Sequence, residues 1–125
     1  MTPLRALLGL LFAANGLAML IVPDTWFHQV PGVTATGPFN PHFVRDVGAS
    51  YLLTGVAFLA LVRAPAARPY ALAGIVFLLA HAFIHLVEAA LGLQSLAHLL
   101  GDVPAVFAVP LLGLYAAWRA PIRPE

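Results

Sequence analysis

The stretch YALAGIVFLLAHAFIHLVEAALGL, residues 70–93, is apolar throughout except for His81, His85 and Glu88. At about 1.5 Å per residue, a helix of this length crosses the ~30 Å hydrocarbon core of a bilayer. Outward from it, three further stretches have the same character: Leu4 to Val22, His42 to Val62 and Val103 to Trp118. Prolines punctuate them, because proline cannot continue a helix and constrains the residue before it. Pro23 ends the first, Pro41 precedes the second, and the segment Ala64-Pro65 to Arg68-Pro69 divides the second from the third. Pro110 lies inside the fourth and predicts a kink there. The expected fold is all-α, a four-transmembrane-helix bundle forming one domain over residues 1–125, with no internal repeat.

Composition agrees. Of 125 residues, 62% are hydrophobic and only 9% charged, and the mean hydropathy is +0.93. An average soluble domain is about 25% charged. These values exclude a soluble enzyme, a nucleic-acid-binding domain and a disordered tail, and a net charge of +1 steers no polyanion. The absence of cysteine removes disulfides, thiolate metal sites and Cys nucleophiles. Arg5 before an apolar run resembles the start of a secretory signal, but no A-x-A cleavage pattern follows, so the run is read as a first span.

Arginines set the expected orientation, since loops on the cytoplasmic side retain positive charge. Arg5, Arg63, Arg68, Arg119 and Arg123 all fall on one side of a four-span arrangement. That side is predicted to be cytoplasmic, with both termini inside and the protein multi-pass in a bacterial inner membrane. The connections Pro23 to Pro41 and Gln94 to Asp102 then lie outside. The first carries a short interfacial segment, Pro23-Asp24-Thr25-Trp26-Phe27-His28-Gln29, with Asp24 near its N-cap. With Gly32 to Pro38 it either anchors at the interface or covers a cavity mouth. Trp26 and Phe27 suit the outer interface, and Tyr70, Tyr115 and Trp118 the inner one.

Except for Glu125, every acid and every histidine falls between the outer side and the midplane. His42, Asp46, Ser50 and Thr54 recur every four residues on the second span, forming one stripe. His81, His85 and Glu88 form another on the third. At ~1.5 Å per residue, Glu88 lies about 7 Å, His85 about 12 Å and His81 about 18 Å below the outer end, with Asp46 level with Glu88 and Asn15 on the first span about 10 Å down. Charges and unpaired imidazoles are costly against lipid, so the stripes are expected to face one another or a wet cavity. Arg45 cannot share the narrow stripe of Asp46. It is expected either to pair with Glu88 or Asp102 or to snorkel to the headgroups. His98 and Asp102, four apart in the outer connection, read as a solvated pair near enough to assist a site.

Two imidazoles at i and i+4 can chelate one metal, and a carboxylate one turn on can complete the set or orient a ring. His81, His85 and Glu88, with His42 or Asp46 from the second span, are the candidate ligands for a divalent metal such as Zn²⁺, Fe²⁺, Mn²⁺ or Cu²⁺. A b-type haem would use His81 or His85 with a partner on another helix. Covalent haem is excluded because there is no C-x-x-C-H. Against these stands a plainly structural reading, in which the histidines bond to neighbouring helices and hold the bundle in register. Gly9, Ala13 and Gly16 on the first span, and Gly48, Ala49 and Gly55 on the second, permit close helix contact.

The second span, Asn40-Pro41-His42-Phe43-Val44-Arg45-Asp46-Val47-Gly48-Ala49-Ser50-Tyr51-Leu52-Leu53-Thr54-Gly55, resembles the polar helix start of the DoxX-like group of small four-helix membrane proteins. The four-span order with a longer first connection is similar as well. The resemblance implies that fold. It also allows a role as accessory subunit of a membrane redox enzyme that meets quinones, although the cluster of His81, His85 and Glu88 does not match the group's common pattern.

The expected function is therefore a small integral membrane protein with an outward-opening polar pocket of Asn15, His42, Arg45, Asp46, Ser50, Thr54, His81, His85 and Glu88. It would bind a small ligand, a metal or a lipid or quinone headgroup, with His85, Glu88 or Asp46 supplying any proton transfer. Alternatives are a non-catalytic accessory or assembly subunit, partnered by another membrane protein or a second copy, and a His-ligated metal or haem oxidoreductase. A transport pore is disfavoured, because the inner halves of the spans carry no charge.

Overall fold

The computed structural model describes residues 1–121, and Arg123 and Glu125 lie outside them. No strand occurs among the described residues. Helix α1 spans Thr2–Ile21, α2 Pro23–Gln29, α3 Pro41–Arg63, α4 Arg68–Ala90, α5 Leu96–Asp102 and α6 Val109–Trp118. Single 3₁₀ turns at Val33–Thr36 and Pro65–Ala67 join α2 to α3 and α3 to α4. Four helical stretches are long and apolar enough to cross a membrane: Thr2–Ile21, Pro41–Arg63, Pro65–Ala90 and Leu96–Trp118. The chain thus has the build of a multi-pass integral membrane protein. Its exterior agrees, with Leu10, Leu53, Val76 and Phe83 each more than half exposed, an apolar surface suited to lipid.

Two of the expected boundaries move. The third span ends at Ala90 rather than Leu93, because Gly92 takes φ +73° and turns the chain while the Glu88 carbonyl accepts from the Leu93 amide. The fourth begins at Leu96 rather than Val103. Ser95 caps α5 by accepting the His98 amide at 3.1 Å, so most of the expected second outer connection is helix. The distortion expected at Pro110 lies earlier, as a wide π turn over Val103–Ala108. Pro104 lacks an N–H, and the ring of Pro110 crowds the carbonyl four residues back, which falls in that turn.

The spans pack as a ring in the order α1, α3, α4, fourth span, with the last returning to α1. Glycines set the closest approach. A Cβ at Gly16 would collide with the backbone of Leu52 and Gly48, and one at Gly55 with the backbone of Ala13 and Gly9, so α1 and α3 meet along a seam of these small residues. Gly74 admits the Thr54 side chain, and Gly113 admits Ile75, bringing α4 against α3 and α6. Around these contacts Leu8, Phe12, Phe58, Ile75 and Leu78 are buried, with Phe12 and Phe58 edge to face at 5.6 Å.

Two arginines tie helix ends together. Arg5 is buried and its Nε donates to the Ala116 carbonyl at 3.0 Å, which puts the start of α1 beside the end of α6. Arg45 Nε donates to the Leu20 carbonyl at 3.2 Å, near the end of α1. Each guanidinium thus meets a carbonyl that its own helix leaves unpaired, at the negative end of a helix dipole. Of the two expectations for Arg45, the pairing with Glu88 or Asp102 is not formed. At the same end as Arg5, Arg68 lies over the Trp118 ring at 5.2 Å and Arg119 over Tyr115 at 5.6 Å. The opposite end carries α2, the 31–40 connection and α5.

Candidate functional site

The polar groups of this second end gather around the carboxylate of Asp102, at the end of α5. Asp102 Oδ2 accepts from Nδ1 of His85 at 2.8 Å and from Nε2 of Gln94 at 2.7 Å. Nε2 of His98 stands 3.7 Å from the same oxygen. His85 and Asp102 are only 7% and 8% exposed. A buried carboxylate accepting charge-assisted bonds is the expected compensation for its desolvation.

The contact orders the protons. An ionised carboxylate only accepts, which assigns a hydrogen to Nδ1 of His85 and, in the neutral ring, leaves a lone pair on Nε2. That nitrogen lies 3.3 Å from Nε2 of His81, one turn nearer the midplane, with the two rings edge to face. His81, in the neutral ring, donates across this gap. A polar chain therefore runs from Gln94 through Asp102 and His85 to His81, from the α5 loop into the third span.

Helix geometry explains the convergence. His81 and His85 share a face of α4 because they are four apart. Ser95 starts α5 early enough that Asp102 arrives, still helical, beside that face. The turn after Ala90 places Gln94 on the same carboxylate.

The 31–36 segment roofs the cluster. Pro31 and Gly32 with His98, Gly101 and Asp102 line a cleft of about 250 Å³. Ala35 and Thr36 with Glu88, Leu93, Gln94, Ser95 and His98 line an adjoining one of about 370 Å³. Gly32 has φ +88°, and a Cβ there would lie 3.1 Å from Nε2 of His98, so the roof sits directly on that ring. Oε1 of Gln94 is buried without a hydrogen-bond partner. Its amide orientation follows from Nε2 facing an acceptor.

The other expected site residues are dispersed. Oδ1 of Asn15 accepts from Nε1 of Trp26 at 2.9 Å, which pins α2 to α1. His42 and Asp46 face each other at 3.4 Å with side chains 89% and 62% exposed, on the outer side of α3. Ser50 and Thr54 donate to the carbonyls of Asp46 and Ser50 in their own helix. Glu88 borders the larger cleft one turn beyond His85. The α3 stripe therefore does not close on the α4 stripe as expected. Its first turn reaches the bundle end where polar groups need no partner, and its lower part is satisfied locally. His42 is correspondingly not brought to His81 and His85, and among the described residues no three His, Asp or Glu side chains form a ready metal-ligand set.

Asp102 and His98 are the main revision. A solvated pair was expected, and Asp102 is buried instead. Gln94 was not singled out at all. Ser95 was the signal that could have found them, as an N-cap that carries the helix through residue 102.

Comparison of the chain with protein families, curated proteins and solved structures finds no match.

Proposed function

We propose that this is a small membrane protein that binds a polar ligand, a lipid or quinol headgroup presenting hydrogen-bond donors, in the cleft between the 31–36 segment and α5. Asp102 and Gln94 would be its anchors, and His85 and His81 the polar wall behind them. The observation that carries this reading is Oε1 of Gln94, a buried acceptor without a partner on a residue that lines a cleft of about 370 Å³. Such an atom costs about 1–3 kcal/mol until a donor reaches it. A hydroxyl or ammonium would supply that donor, and the carboxylates of Glu88 and Asp102 favour the same ligands.

The orientation proposed with it puts both termini in the cytoplasm of a bacterial inner membrane and the cleft on the outer side. Arg5, Arg63, Arg68 and Arg119 at the terminal end support this. The four-span order with a longer first connection, which resembles the DoxX-like group, is in keeping with this reading. A second reading, an accessory subunit that meets a partner protein or a second copy, is favoured by one observation: the exposed pair of His42 and Asp46 on the outer side of α3.

Calorimetric titration of the detergent-purified protein with dihexanoyl phosphatidylethanolamine and with a water-soluble benzoquinol tests the first reading. Saturable binding of one of them is expected, weakened about five- to tenfold by Gln94→Leu. Absence of saturable binding, or binding indifferent to Gln94→Leu and Glu88→Gln, would refute it.

A further inference from the structure

The His81 and His85 pair has a geometry that fits a hydrogen bond and fits shared coordination of one ion equally well. Its two Nε2 atoms are 3.3 Å apart. Two nitrogens each about 2.0–2.1 Å from a tetrahedral ion stand about 3.3–3.4 Å apart, so the pair already has the bite of a chelate. On the far side of His85, Oδ2 of Asp102 holds Nδ1 at 2.8 Å, and Gln94 in turn holds Asp102. A carboxylate on the second nitrogen of a ligating histidine fixes its tautomer and raises its basicity.

We propose that His81 and His85 form the protein half of an open site for a divalent d-block cation, with Asp102 as the positioning residue. It rests on the reading of this cluster as a ligand site, and it names a second occupant. Nε2 of His85 offers its lone pair as it stands. His81 must move its proton from Nε2 to Nδ1, so two neutral imidazoles bind the ion and no net proton is released. Water fills the remaining positions. Nitrogen ligands without sulfur select Zn²⁺, Co²⁺, Ni²⁺ or Cu²⁺ over Mg²⁺ and Ca²⁺. Charge favours a cation here as well. Asp102 and Glu88 stand at this end, while Arg5, Arg68 and Arg119 lie at the other and Arg45 is engaged with the Leu20 carbonyl.

The test is titration of chelator-treated, detergent-purified protein with Co²⁺, followed by its visible ligand-field bands, with Zn²⁺ as competitor. The expected result is one ion per chain with bands of nitrogen coordination. His81→Ala abolishes them, Asp102→Asn retains the stoichiometry but weakens binding about 10- to 100-fold, and His42→Ala changes nothing. His85→Ala should also abolish binding. Should it not fold, because it strands Asp102, His81→Ala carries the test alone, its ring being free of that carboxylate. Absence of stoichiometric Co²⁺, or binding that survives His81→Ala, overturns the proposal. Headgroup titration of the metal-free protein separates this failure from that of the cleft: if Gln94→Leu still weakens it, the cleft reading stands without the metal.

Discussion

Gly32 is where the connection touches the cluster. Its φ of +88° is left-handed, and a Cβ would press on the ring of His98. Gly32→Ala should therefore destabilise the protein by about 1–2 kcal/mol, read from reversible unfolding in mixed micelles. An unchanged midpoint would mean that the roof does not rest on His98. Asp102 is a harder residue to read. In the sequence it follows a glycine in what looks like a connection, and nothing local distinguishes a solvated aspartate there from a buried one. His81 and His85 were legible because a histidine pair inside an apolar run has few explanations. Their partner was not, because it arrives from another span.

At the scale of elements, the small residues of α1 and α3 were readable as positions of close contact, whereas their meeting each other in one seam was not. Gly9 and Gly16, like Gly48 and Gly55, recur seven apart and so return to one face. Gly55→Leu would drive a side chain into the backbone of α1, which cannot give way as a rotamer can. It should cost about 1–3 kcal/mol and loosen the pair. Gly101→Ala is the contrast, since a Cβ there meets nothing within 4 Å and α5 should gain up to about 1 kcal/mol. Equal effects of the two variants on the unfolding midpoint would contradict the seam. The start of the fourth span was misplaced for a related reason. Gly101 and Asp102 resemble a turn, and the capping by Ser95 outweighs them once α5 can pack. The same shift turned an expected loop pair into the centre of the site. The α3 stripe misled in the opposite way, because a period of four states which residues share a face and not what that face meets.

For the whole molecule, the separation of charge by end is the main regularity: among the described residues every arginine but Arg45 lies with the termini, and the acids and histidines lie toward the opposite end. The chain has no cysteine, which makes its topology directly measurable. Thr34→Cys should react with a membrane-impermeant maleimide in intact cells, whereas Ala66→Cys should react only after permeabilisation. The reverse pattern would invert the proposed orientation. Beneath this lies the claim that the third and fourth spans are joined through buried His85 and Asp102, without which there is neither a cleft wall nor a metal pair. A double-mutant cycle with His85→Ala and Asp102→Ala, measured by reversible unfolding in mixed micelles, tests it most directly. A coupling energy of about 1–3 kcal/mol is predicted. Additive effects, with coupling near zero, would show that the two side chains do not meet, and the account would fail.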